Sequence, residues 1–171
     1  MKRVLSLVVL FLFLTTTGRC ADVRREPTTK RRDKGGLVCL EGETTPYTGL
    51  LYEKHPNCNM KVGIVLKNGK KDGPYKEWYA NGKMRLGILY KDGKKNGTYK
   101  VWDTSGKITK DETFKDDLKD GPFREWYNLT QMASEETYKE DKLNGPTKKW
   151  FENGKVKGEW SYKDYKLEGL C

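Results

Sequence analysis

Residues Gly73 to Asn96, GPYKEWYANGKMRLGILYKDGKKN, read as one β-hairpin and its exit turn. Tyr75-Lys76-Glu77-Trp78-Tyr79 is short, aromatic and alternating, which is strand composition. Ala80-Asn81-Gly82-Lys83 follows, and Asn-Gly supplies the two positive-φ residues of a type I′ turn. Met84, Leu86, Ile88 and Tyr90 then alternate with Arg85, Gly87, Leu89 and Lys91, the period-2 pattern of a second strand. Lys91-Asp92-Gly93-Lys94 is a charged turn leading into the next unit. The alternation puts Tyr75 and Tyr79 on the face opposite Trp78.

The unit recurs without insertion. Gly49, Gly73, Gly97, Gly121, Gly145 and Gly169 stand 24 residues apart and are expected to be turn residues. Trp78, Trp102, Trp126 and Trp150 keep step with them, as do Met60, Met84, Ile108, Met132 and Val156. A fixed period in the range of about 20–50 residues marks an array whose units bury their faces only against neighbours. The expected fold is all-β, an elongated single-layer antiparallel meander of 24-residue hairpins, with repeats starting near 49, 73, 97, 121 and 145. Apolar residues are 35% of the chain and charged residues 34%, which argues against a compact two-layer core. The Gly49 copy is the least regular: Lys54 takes the tryptophan position and Pro56-Asn57-Cys58-Asn59 replaces Ala-Asn-Gly-Lys.

Three segments follow in order. Residues 1–20 read as a signal peptide, with Lys2 and Arg3 before the apolar run Val4 to Leu14 and small residues after it. Two versions stand: cleavage of a simple export signal, or a lipoprotein signal with the anchor on Cys20. Either places the mature chain in the periplasm, on the cell surface or in the medium. Residues 21–36 are polar and basic and read as a flexible linker. Residues 37–171 carry the hairpin array.

Chemistry-bearing constellations are missing. The single histidine, His55, precedes Pro56 in a turn, which excludes multi-histidine metal sites and disfavours a histidine triad. Glu77 and Glu125 share one repeat position and Glu112 and Glu136 another, and carboxylates recurring along a sheet read as ion-pair partners for lysines. No phosphate-binding glycine loop is present. The expectation is a protein that is not an enzyme and takes no cofactor or metal. The candidate binding residues are the repeated aromatics Trp78, Trp102, Trp126, Trp150, Tyr75, Tyr99 and Phe123. The net charge of +10 suits acidic lipid, envelope polysaccharide or acidic protein, and export argues against nucleic acid.

Export also favours cysteine oxidation. Cys171 lies about ten strands from Cys39, roughly 45–50 Å at meander spacing, beyond the reach of a disulfide. Cys39–Cys58 is therefore the expected internal pair, although the repeat register places Cys39 opposite about Lys54. Cys171 is left as the odd thiol of a monomer or the link of a dimer.

The consensus Gly-x-[Tyr/Phe]-x-x-Trp-[Tyr/Phe]-x-Asn-Gly-Lys, followed by an aromatic-Lys-[Asp/Asn]-Gly-Lys turn, resembles the MORN-repeat variant family. Bacterial members of that family include YwqK-family proteins described as antitoxins of toxin–antitoxin systems. The resemblance covers about Gly35 to Cys171 and implies a hairpin meander with a protein-interaction role. The expected function is a non-enzymatic exported module presenting an aromatic and lysine-rich sheet to an unidentified protein partner. The alternatives are a membrane- or polysaccharide-binding element using the basic face, and an antitoxin-like component.

Overall fold

The computed structural model describes residues 31–34, 37–40, 42–128 and 130–169. The expected signal segment, Cys20 and Cys171 lie outside these residues. A two-stranded hairpin, β1 (Arg31–Lys34) and β2 (Leu37–Leu40), precedes the main sheet. That sheet is antiparallel and contains β3 (Gly49–Lys54), β4 (Met60–Lys67), β5 (Lys70–Trp78), β6 (Met84–Lys91), β7 (Lys94–Trp102), β8 (Ile108–Lys115), β9 (Leu118–Trp126), β10 (Met132–Lys139), β11 (Lys142–Leu143), β12 (Gly145–Trp150), β13 (Val156–Lys163) and β14 (Lys166–Gly169). Its strands lie in chain order from β3 to β14, with β11 a short extension pairing only with β10. The all-β meander of consecutive hairpins is the expected one.

The two kinds of turn are exchanged relative to expectation. Both central residues are left-handed in the turns that follow Lys91, Lys115 and Lys139: Asp92 and Gly93 at φ 51° and 89°, Asp116 and Asp117 at 51° and 73°, Glu140 and Asp141 at 50° and 63°. This is the type I′ signature. The Asn-Gly loop has one left-handed residue, Gly82 at φ 82°. There Tyr79 N–H donates to Lys83 O and Gly82 N–H donates to Tyr79 O, both at 2.9 Å. Asn81 Oδ1 accepts from Lys83 N–H at 3.0 Å, so its side chain closes the loop and its backbone need not become left-handed.

The period glycines are also not in turns. Gly73, Gly97 and Gly121 lie inside strands at φ 120°, 113° and 122°, and Gly49 and Gly145 begin strands. A Cβ on Gly121 would strain the backbone and stand 3.1 Å from Thr113 Cβ. Gly73, Gly97 and Gly121 sit directly opposite Tyr90, Phe114 and Tyr138. The neighbouring rings Tyr75, Tyr99 and Phe123 meet those aromatics edge-on, with centroids 6.3, 6.0 and 6.0 Å apart. Such pairs contribute about 0.5–1.5 kcal/mol beyond area burial.

The apolar core lies at the N-terminal end. Leu51, Ile64 and Leu66 are almost wholly buried, and Val38, Leu40, Tyr47 and Tyr75 pack on them. β2 is tied over this end by Val38 N–H to Gly69 O and Tyr47 N–H to Val38 O, each 2.9 Å. The strand β1 on its outer edge overlaps the expected linker, because Arg31 to Lys34 find backbone partners from Leu40 back to Leu37.

The expected Cys39–Cys58 pair is not formed. Cys39 carries a free, buried thiol and its backbone forms a β-bridge with Pro46, whereas Cys58 is disulfide-bonded. Pro46 precedes β3, and Cys58 occupies the loop beyond its far end. The intervening strand of six residues spans about 20 Å, which keeps the two sulfurs apart.

Candidate interaction surface

Register divides the candidate binding residues between two faces. Tyr75, Ile88 and Tyr99 are cross-strand partners, as are Lys76, Gly87 and Lys100 on the neighbouring row. Successive residues point to opposite faces, so these rows lie on different sides of the sheet. Trp102 belongs to the Gly87 side, its ring carbons 3.3–3.4 Å from where a Gly87 Cβ would stand, and Trp78 lies over Gly63 in the same way. Trp126 and Trp150 hold the equivalent strand-end positions opposite Met132 and Val156. Trp78, Trp102, Trp126 and Trp150 therefore share one surface and Tyr75, Tyr99 and Phe123 belong to the other. Tyr79 lies past the end of β5, where its hydroxyl donates to Trp102 O at 2.8 Å.

On the tyrosine face several polar side chains find partners within the sheet. Tyr75 hydroxyl donates to Glu77 and Tyr138 hydroxyl to Glu136, both at 2.5 Å. Burial first, and then these carboxylates, push both phenols well above the ordinary tyrosine range. Lys71 and Lys119 lie over the rings, 4.7 Å from the Tyr90 centroid and 4.8 Å from that of Phe123. The buried Glu112 is held between Lys110 at 3.2 Å and Lys119 at 3.1 Å, and Glu136 pairs with Lys149 at 3.0 Å. Glu77 pairs with Arg85. Glu77, Glu112 and Glu136 are thus ion-pair partners as their recurrence implied, whereas Glu125 is exposed and makes no ion pair among the described residues.

The tryptophan face differs from one end to the other. Between β5 and β7 it has a groove of about 330 Å³, floored by Gly87 and walled by Pro74, Met84, Leu89 and Trp102. Lys76 and Lys100 stand on either side of the floor, and no carboxylate lines the groove. Lys76 is exposed and makes no ion pair among the described residues; Lys100 reaches Asp111 at 3.3 Å. Two repeats later an equivalent groove of about 340 Å³ carries Glu135 in the glycine position. Arg124 closes on Glu135 at 2.7 Å and Lys148 pairs with Glu159. No spacing rule marked Gly87. Its signal was available only by comparing one column across the repeats: Gly63, Gly87, Asp111, Glu135, Glu159.

His55 is structural and part-buried. Its Nε2 donates to Trp78 O at 2.9 Å, which fixes the tautomer whenever the ring is neutral. Asn57 and Asn59 reach Ala80 O at 2.7 and 2.8 Å, and Asn81 reaches Thr104 O at 3.0 Å. The loops along this border are thereby stitched one to the next. Among the described residues no group of three or more His, Cys, Asp and Glu comes together to hold a metal.

The hairpin with its left-handed turns is also what comparison with known families recognises. Residues 71–92, 95–116 and 143–164 match the MORN repeat variant. Each MORN match begins as the chain leaves one lysine-flanked turn and runs through the Asn-Gly-type loop into the next such turn. The three matched copies have Gly82, Gly106 and Gly154 at the left-handed loop position. Two other copies, outside the MORN matches, have Cys58 (φ 70°) and Thr130 at the equivalent place in the repeat. The Thr130 loop relies on Asn128 Oδ1, which accepts from Thr130 N–H at 3.1 Å and Gln131 N–H at 3.0 Å. A comparison with curated proteins returns no match.

Proposed function

We propose that the chain is a non-enzymatic, exported repeat protein that binds a protein partner through the tryptophan face of its early repeats. The observation supporting this is the groove over Gly87: apolar walls, flanking lysines and no lining carboxylate. Apolar contact supplies affinity at such a site and the charges select the partner. Affinity capture from cell-envelope extract tests it, comparing the full chain with Trp102→Ala and Trp150→Ala. Capture should fall with Trp102→Ala and persist with Trp150→Ala; equal capture by all three counts against the reading. Finding a tagged full-length protein in the cytoplasm would remove export and leave the antitoxin-like reading.

One observation favours a membrane or polysaccharide surface as the second reading. Lys67 faces Lys70, Lys91 faces Lys94, Lys139 faces Lys142 and Lys163 faces Lys166. Like charges directly opposite are destabilising, and these lysines are exposed without ion pairs among the described residues. Co-sedimentation with anionic vesicles that falls steeply with salt supports this reading, and absence of binding removes it.

A further inference from the structure

We infer that the Gly87 groove receives an apolar side chain from an extended acidic segment of the partner, with a carboxylate on each side of it reaching Lys76 and Lys100. This deepens the protein-binding reading and rests on it. Gly87 has a lysine as cross-strand partner on both sides. Gly63 does not, since its partners are Tyr52 and Lys76. Lys76 and Lys100 are two strands apart, about 10 Å at their Cα atoms. A segment lying across the strands places side chains two residues apart on one side, about 7 Å from each other. The pattern acid-x-apolar-x-acid therefore brackets the two lysines while its central side chain enters the groove.

The molecule contains its own counterexample. At the Glu135 position the flanking cations are Arg124 and Lys148, and the carboxylate facing Arg124 is supplied by the chain itself. The anionic position left empty at Gly87 is filled internally two repeats later. Lys100 is shared with Asp111 at 3.3 Å while Lys76 is unpaired among the described residues, so charge complementarity picks an acidic occupant for the first groove and denies it the second.

Fluorescence anisotropy with the full chain tests the inference, using a labelled peptide Gly-Glu-Ser-Phe-Ser-Glu-Gly as probe. Control peptides carry Lys for both Glu residues, or Ser for Phe. The acidic probe should bind at least tenfold more tightly than either control at low salt and weaken as salt rises. Gly87→Glu, which copies the Glu135 arrangement, should weaken binding at least tenfold. Lys76→Glu should do the same with an unchanged melting temperature, because Lys76 is exposed and makes no ion pair among the described residues. Equal binding of acidic and lysine peptides, or binding indifferent to Lys76→Glu, overturns the inference. Trp102-dependent capture of a partner together with such a result would leave the protein-binding reading standing. Binding to phosphatidylglycerol vesicles that Lys76→Glu abolishes, with no peptide binding, overturns it in favour of a lipid surface.

Discussion

The two ends of the sheet share one backbone plan and stabilise it differently. At the N-terminal end Leu51, Ile64 and Leu66 form an apolar cluster under β2. Toward the other end the buried positions include Glu112, Ser134, Glu136 and Thr147. The substitution is column by column: Ile64 and Ile88 are followed at the same position by Glu112 and Glu136. On the opposite face Gly63 and Gly87 give way to Asp111, Glu135 and Glu159. A hairpin array fixes backbone pairing through its turns and glycines, and leaves side-chain chemistry free to vary by repeat. One end thereby acquires a core and an open groove, and the other a lattice of ion pairs.

The largest expected effect is on the apolar end. Leu51→Ala removes a fully buried side chain and should cost about 3 kcal/mol in urea unfolding. A loss below about 1 kcal/mol would show that the cluster under β2 does not anchor that end.

Alkaline pH should strike both ends alike. Burial and the neighbouring carboxylates raise the pKa of Tyr75 and Tyr138, so folding favours the neutral phenols. Their contribution is fully present below the ordinary tyrosine value near 10 and is lost as pH rises through and beyond it. Thermal melts should hold steady up to about pH 9 and fall above about pH 10. Tyr75→Phe and Tyr138→Phe should each lessen that fall, and an unchanged profile in both would contradict the assignment.

A smaller gain is expected at the turns. Glu140 is exposed at φ 50°, a left-handed conformation that favours glycine. Glu140→Gly should stabilise by about 1 kcal/mol. Asp117→Gly should gain less, because Asp117 Oδ1 accepts Lys95 N–H at 2.8 Å. Chemical denaturation of the two variants side by side checks the order.

The smallest effect sharpens the comparison most. Glu112→Ile places at the ion-paired end the residue found at Ile64 and Ile88. It should change stability by less than about 1 kcal/mol, because removing one member of an ion pair is costly only where the charge left behind stays buried. Lys110 and Lys119 are each about one-third exposed and can turn to water. A loss as large as that of Leu51→Ala would mean that the two halves are not interchangeable solutions.

Much of the fold was legible in the residues, and the departures have local causes. Asn-Gly is the strongest short hairpin signal, yet Asn81 spends its side chain on Lys83 N–H and leaves only Gly82 left-handed. The type I′ geometry falls instead on pairs such as Asp116-Asp117, where Asp117 bonds to the backbone of the preceding hairpin. That contact joins residues 22 apart, so no local rule reveals it. The division of the aromatics into two sets was already legible in the alternation, and the cross-strand rows keep to it. A three-residue offset between Tyr75 and Trp78 separates them, since faces alternate at every residue.

The sequence by itself determined the repeat, the hairpin and the chain-order sheet, because a fixed 24-residue period and two-residue alternation are properties of the chain read along its length. Only the tertiary structure decided which rows meet: Lys76, Gly87 and Lys100 as one groove, Arg124 and Glu135 as a closed pair, and Cys39 apart from Cys58. Those outcomes depend on cross-strand register and bulges between residues far apart in the chain, and register is fixed by packing across the whole sheet.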